Sequence, residues 1–160
     1  RRENVYHRYD GFINRLHNED YIASTLLQIA YSHMNRFIQF NCVAVCFVND
    51  ELWVASNSQD IITDDIRTLS LLMREDGYNI YPSKIKIIVF GCRNVMHAEM
   101  QLLAALRNKF IDTIGSQHIY IGVSKPCCQN CAFMLDAYAV NYTQYPSNRV
   151  RNWELPSVFL

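Results

Sequence analysis

Two short segments constrain the fold of this 160-residue chain more than any other feature. One is MHAEMQLL at 96–103, and the other is PCCQNC at 126–131. Proteins bind zinc through histidine nitrogen and cysteine thiolate, usually at four positions. If His97 and two of the cysteines bind one ion, the fold must bring the two segments together. Three protein ligands would leave one position open, which is the pattern of catalytic sites.

The residues around these segments predict how they would meet. HIYIGVS at 118–124 is apolar and predicts a strand buried on both faces, with helices at about 95–110 and 128–140 on either side. Each segment then lies at a helix start, where the helix dipole favours thiolate and hydroxide. Residues two apart diverge in mid-helix, but at a first turn His97 and Glu99 can both extend over the open end. A carboxylate there can take a proton from water and deliver it later.

The three cysteines of the second segment have different predicted roles. Cys128 and Cys131 are three residues apart and can share one metal. Adjacent cysteines point to opposite sides, so Cys127 is predicted to be a small buried neighbour. Two alternatives stay open: a structural zinc site closed by Cys127, Cys92 or His118, and a redox C-x-x-C pair.

Apolar spacing elsewhere predicts a sheet covered by helices. Helices are expected at 3–17, 20–38 and 60–75, hairpin strands at 42–48 and 52–56 around Asn49 and Asp50, and a further strand at 84–91. Within the hairpin, Cys42 and Cys46 lie on one strand face and are interpreted as core residues. Trp53, Tyr120 and Phe133 are also predicted to be core residues. The pattern indicates an α/β sandwich.

Charge and hydropathy exclude several classes of protein. The net charge is zero, so the chain lacks the positive excess on which nonspecific nucleic-acid binding depends. Its apolar stretches are shorter than the roughly 20 residues of a membrane span, and no signal peptide is visible. Because the chain has no initiator Met, we expect it to be part of a longer protein.

The order HAEMQLL, then IYIGVSKPCCQNC, then a tail with WELP resembles the cytidine deaminase-like superfamily. The closest resemblance is to its bacterial toxin-type deaminase domains. The shared signature is H-x-E, a later P-C-x-x-C, and a glutamate that is not a ligand; this chain departs from it because Cys127 follows Pro126 directly. The resemblance implies a three-layer α/β/α sandwich with a mixed sheet. It also implies one domain over 1–160, with a catalytic core at 40–157 and two extra N-terminal helices in 1–39.

The resemblance further implies hydrolytic deamination of a nucleobase, most often cytosine. His97, Cys128 and Cys131 match the Zn²⁺ ligands, Glu99 matches the proton shuttle, and Asn57 resembles an asparagine near the substrate sugar. Single-stranded nucleic acid is the expected substrate, because a base in a duplex must first be flipped out. The alternatives are a free nucleoside or nucleotide, adenine as the base, and a non-catalytic zinc-binding interaction module.

Further residues are candidates for substrate contact. Lys125 directly precedes the cysteines and could contact phosphate. Trp153 lies in the irregular tail and could stack on a base or anchor the tail, while Arg149 and Arg151 are either solvated or near phosphate. A toxin-type domain would be a secreted or translocated effector acting in a target-cell cytoplasm, otherwise cytoplasmic. Its expected partners are the substrate and a cognate immunity protein, with no membrane.

Overall fold

Helices and strands alternate along the chain in the computed structural model, which describes residues 18–32, 42–57, 61–90 and 96–144. The helices there are α1 (Asn18–Ser32), α2 (Thr63–Glu75), α3 (Ala98–Phe110) and α4 (Gln129–Ala137). The strands are β1 (Val43–Val48), β2 (Glu51–Ser56), β3 (Ile85–Ile87) and β4 (Gly122–Val123), and short 3-10 helices cover Pro82–Lys84 and Ile114–Gln117. None of the described helices is long and apolar enough to cross a membrane. The helix predicted at 3–17 and the end of the one predicted at 20–38 lie outside the described residues.

The four strands form a mixed sheet in the order β3-β2-β1-β4. β1 pairs antiparallel with both β2 and β4, whereas β2 pairs parallel with β3. Asn49 has φ 57° at the turn between β1 and β2, a left-handed conformation that asparagine tolerates well. The predicted hairpin is therefore confirmed, with Val43 opposite Ser56 and Val48 opposite Glu51.

Side-chain alternation along β1 divides the core into two layers. Ala44 and Cys46 join the buried cluster that contains residues of α3 and α4. Val43 and Val45 join the cluster that contains residues of α1 and α2. The sheet therefore lies between two pairs of helices, and the predicted α/β/α sandwich is confirmed.

Helix α1 is hydrogen-bonded to the segment that leads into the cysteine motif. The Asp20 side chain is buried, and its Oδ1 accepts a hydrogen bond from the Val123 N–H at 2.9 Å. Its Oδ2 accepts from the Tyr120 hydroxyl at 3.3 Å and from the Thr143 hydroxyl. These bonds make α1 part of the layer that packs on β1 and β4. The division of the chain at residues 39 and 40 stays a prediction.

The strand predicted at 118–124 is shorter in the structure. His118 is exposed and left-handed, with φ 55° and ψ 41°, so no strand can begin there. Pairing with β1 is limited to Gly122 and Val123. On the other side, the Ile121 N–H donates to the Asn141 carbonyl at 2.8 Å.

The strand predicted at 84–91 is also short, because β3 covers Ile85–Ile87. One further backbone bond, from the Ile88 N–H to the Val54 carbonyl at 2.8 Å, extends the pairing. Residues 91–95 lie outside the described part of the chain.

Phe133 is not a core residue, because its side chain is 71% exposed. The buried face of α4 contains Cys131 and Leu135, which are four residues apart and share one side of the helix. Phe133 lies between them in sequence and points to the opposite side. Trp53, by contrast, is buried as predicted, and Tyr120 is half-buried.

Candidate metal centre

The side chains of His97, Cys128 and Cys131 converge at the start of α3 and α4. The His97 Nδ1 lies 3.6 Å from the Cys128 Sγ and 3.4 Å from the Cys131 Sγ. All three ligand atoms lie within 4.8 Å of one another. No other cluster of histidine, cysteine and acidic side chains in the described part of the chain meets this condition. The fold therefore brings together the three residues predicted to bind a metal.

Both groups of ligands are placed by helix starts. His97 is the N-cap of α3, with extended backbone, and its carbonyl accepts from the N–H groups of Met100 and Gln101 at 3.0 and 3.1 Å. Cys128 is the N-cap of α4, and its Sγ accepts from the Cys131 N–H at 3.4 Å. An N-cap side chain turns back over the first helical turn, so the Cys128 and Cys131 thiols lie on one side.

The distances and the donor set fit zinc. Tetrahedral zinc, with its usual bond lengths, separates a nitrogen ligand from a sulfur ligand by roughly 3.6 Å. The observed separations of 3.6 and 3.4 Å match this geometry. Two thiolates and one imidazole are also ligands that zinc prefers, and three protein ligands leave a fourth position open.

Hydrogen bonds within the cluster favour the metal-binding form of Cys128. Its hydrogen bond with the Cys131 side chain, aided by the bond with His97, lowers the pKa of Cys128 to about 4. The same bond with Cys128 raises the pKa of His97. A thiolate is the form of cysteine that binds metal, and these hydrogen bonds favour that form of Cys128.

Glu99 is buried beside the ligand cluster. It is the second residue of α3 and only 2% exposed. The Cys42 Sγ lies 3.7 Å from the Glu99 Oε1. The charge of Glu99 contributes to the raised pKa of His97, after the hydrogen bond between His97 and Cys128. The carboxyl group is therefore close to the predicted ligands without being one of the three.

Cys127 is close enough to Glu99 to feel its charge, and it is not part of the ligand cluster. Its side chain is 3% exposed. Burial raises the pKa of the Cys127 thiol, and the charge of Glu99 and a hydrogen bond with it raise the pKa further. Cys127 is thus a buried neighbour of the site, whereas the adjacent Cys128 faces His97.

Asn57 closes the open end of the β1–β2 hairpin. Its N–H donates to the Cys42 carbonyl at 3.2 Å, and its Oδ1 accepts from the Cys42 N–H at 2.8 Å. The side chain therefore holds the backbone of a residue that contacts Glu99. Its contact with a substrate sugar stays a prediction.

Lys125 places a positive charge near the site. Burial raises the pKa of Cys42 and the charge of Glu99 adds to this, whereas the charge of Lys125 lowers it. The charge of the same lysine lowers the pKa of His97, against the other contributions that raise it.

Of the other residues considered from sequence, His118 is exposed and absent from the ligand cluster. Four more lie outside the described residues: Cys92, Arg149, Arg151 and Trp153.

Gln101 is a buried residue of the site that sequence reasoning missed. Its Nε2 donates to the carbonyls of Ser56 and Met96 at 2.9 and 3.3 Å, and its Oε1 accepts from the Phe90 N–H at 3.3 Å. These bonds join the start of α3 to the end of β2. The available signal was a polar side chain four residues after His97, in an otherwise apolar stretch.

Comparison with known proteins supports a deaminase. Residues 96–157 match the family model described as OTT_1508_deam-like deaminase. The matched segment contains both ligand motifs and excludes the hairpin. Neither the curated proteins nor the solved structures contain a significant match to the chain. Over residues 96–157, the chain is therefore similar to a cytidine deaminase-like family of deaminases.

Proposed function

We propose that this domain is a zinc-dependent deaminase that converts cytosine to uracil in single-stranded nucleic acid. One observation supports this most directly. The ligand atoms of His97, Cys128 and Cys131 lie within 4.8 Å of one another, with the buried Glu99 carboxyl beside them, in a segment that matches a deaminase family.

The residues of the site have separate roles in this reaction. His97, Cys128 and Cys131 would hold the ion, and zinc, when bound, lowers the pKa of the attacking water. Glu99 takes one proton from that water and delivers it to N3 of the base. It then transfers the second proton to the amino group on C4. The water oxygen becomes bonded to C4, the C4–N bond breaks, and the products are uracil and ammonia.

Three further residues are proposed to contact the substrate. Lys125 would bind phosphate, supported by its position near His97 and Cys42. Asn57 would lie near the sugar, because it is bonded to Cys42. Trp153 would stack on a base, as aromatic side chains do in proteins that bind single strands. A single strand is favoured as substrate because its bases need not be flipped out of a duplex.

The resemblance to toxin-type domains supports an effector role. In this proposal the domain is secreted or translocated, acts in the cytoplasm of a target cell, and is inhibited by a cognate immunity protein in the cell that makes it. Expression of the domain in bacteria should then be toxic, and expression of the Glu99→Gln variant should not. Equal toxicity of both proteins would contradict an effector role that depends on deamination.

The substrate is tested by direct assay of the zinc-loaded domain. It is incubated with single-stranded DNA and RNA oligonucleotides that contain one cytosine or one adenine, and with the free nucleosides and nucleotides. Mass spectrometry then measures uracil and hypoxanthine. We expect uracil from the oligonucleotides. Conversion of free nucleosides alone, or of adenine alone, would overturn the proposed substrate. No conversion of any base would support a non-catalytic zinc-binding module instead.

Glu99→Gln tests the proton shuttle. The amide has nearly the same shape as the carboxyl but cannot carry the proton, so kcat should fall by about a hundred- to ten-thousand-fold. Circular dichroism and zinc content should match the wild type. Loss of zinc or of the fold would make Glu99 a structural residue, and retained activity would exclude it as the shuttle.

A further inference from the structure

The Glu99 carboxyl is buried and has few polar neighbours. It is 2% exposed and forms no ion pair with any described residue. A buried carboxyl without hydrogen-bond partners is costly, and in native proteins such groups are nearly always satisfied. The Cys42 Sγ lies 3.7 Å from the Glu99 Oε1, within hydrogen-bonding distance for sulfur.

The Cys42 side chain is itself held in place from two sides. The Ser124 Oγ accepts from the Val43 N–H at 2.9 Å, and the Val43 carbonyl oxygen lies 3.9 Å from the Cys42 Sγ. Asn57 binds the Cys42 backbone N–H at 2.8 Å. Burial and the charge of Glu99 raise the pKa of Cys42, so the thiol stays protonated and its S–H can donate.

We propose that Cys42 is a positioning residue for Glu99, donating an S–H hydrogen bond that holds its carboxyl in the orientation needed for proton transfer. This inference rests on the proposed deaminase function. The family signature does not include this thiol, so the contact is a property of this chain's own residues.

Variants at Cys42 separate hydrogen bonding from packing. Cys42→Ala removes the donor, and kcat should fall about three- to tenfold, the effect of losing one hydrogen bond, with KM and zinc content unchanged. Cys42→Ser keeps a donor and should recover most of the activity. Cys46→Ala is the matched control, because Cys46 is a buried thiol on the same face of the sheet; its kcat should equal that of the wild type.

Three outcomes would overturn the proposal. If Cys42→Ala keeps full activity, the contact does not position Glu99. If Cys42→Ser is as slow as Cys42→Ala, packing explains the loss. If Cys46→Ala is equally slow, losing any buried thiol in or next to β1 lowers kcat, and the contact with Glu99 is not the cause.

Infrared spectroscopy tests the contact without any substrate. S–H stretching bands are resolved from other protein absorption and shift when the thiol donates a hydrogen bond. In the zinc-loaded protein, Glu99→Gln should shift the band assigned to Cys42 by Cys→Ala subtraction, and the Cys46 band should stay unchanged. An unshifted Cys42 band would refute the contact even if the wild type deaminates cytosine. A shifted Cys42 band in a protein that deaminates no base would uphold the contact and refute the proposed function.

Discussion

At the scale of single residues, two adjacent cysteines have different surroundings. Cys127 and Cys128 are both buried, at 3% and 6% exposure. Of the two, only Cys128 lies within hydrogen-bonding distance of the His97 nitrogen. Burial raises the pKa of Cys127, and the charge of Glu99 raises it further. The two cysteines are therefore distinguished by the direction of their side chains and not by their burial.

This difference predicts opposite effects of the same substitution. Cys127→Ser should keep zinc and most activity, because Cys127 is not in the ligand cluster. Cys128→Ser should lose most of its zinc, because a serine hydroxyl is a poor zinc ligand beside thiolate and imidazole. Elemental analysis after dialysis against a fixed free zinc concentration measures the difference. Zinc loss in Cys127→Ser with retention in Cys128→Ser would reverse the assignment of the ligands.

At the scale of elements, α1 and β4 approach each other so closely that only glycine fits between them. A Cβ added at Gly122 would lie 2.1 Å from the Glu19 carbonyl carbon and 2.4 Å from the Asp20 nitrogen. Both atoms belong to the helix backbone and cannot rotate away. Since Asp20 binds the next residue, Val123, a displaced helix would also lose this bond.

Gly122→Ala should therefore destabilise the domain by about 3 kcal/mol, the upper end of the usual cost of overpacking. Urea denaturation followed by circular dichroism measures the change. Gly115→Ala is the matched control, because its added Cβ would lie 3.3 Å from the Ala139 Cβ and needs only a small adjustment. Equal stability of the two variants would show that α1 does not press against β4.

At the scale of the whole molecule, the candidate metal centre lies between the first turns of two helices of one layer. His97 begins α3, and Cys128 and Cys131 lie at the start of α4. A ligand that binds only the folded state stabilises it, by about 4 kcal/mol when its free concentration is a thousand times Kd. An ion bound there would therefore stabilise the layer as well as the site.

Metal removal should then lower the melting temperature. Purified domain should contain about one zinc per chain, and chelation should lower Tm by roughly 10 °C, given the size of the domain. Calorimetry before and after chelation measures the shift, and added zinc, but not magnesium, should reverse it. A protein without zinc, or an unchanged Tm, would contradict the metal centre.

Much of the fold is predictable because its signals are local. Alternation in 42–48 and a turn at Asn49 are enough to predict the hairpin, since strand pairing follows from residues near in sequence. Local patterns failed where two faces of a helix compete. Phe133 fits an apolar stripe of α4, but the packing of Cys131 and Leu135 determines the buried side.

The sequence by itself determined the ligand motifs and their placement at helix starts, because residue type, spacing and capping are properties of short segments. It also determined that Glu99 lies close to His97. Only the tertiary structure decided that Cys42 contacts Glu99, 57 residues away. Such contacts depend on how β1, β4 and α3 stack in three dimensions, and no local pattern in the chain records that stacking.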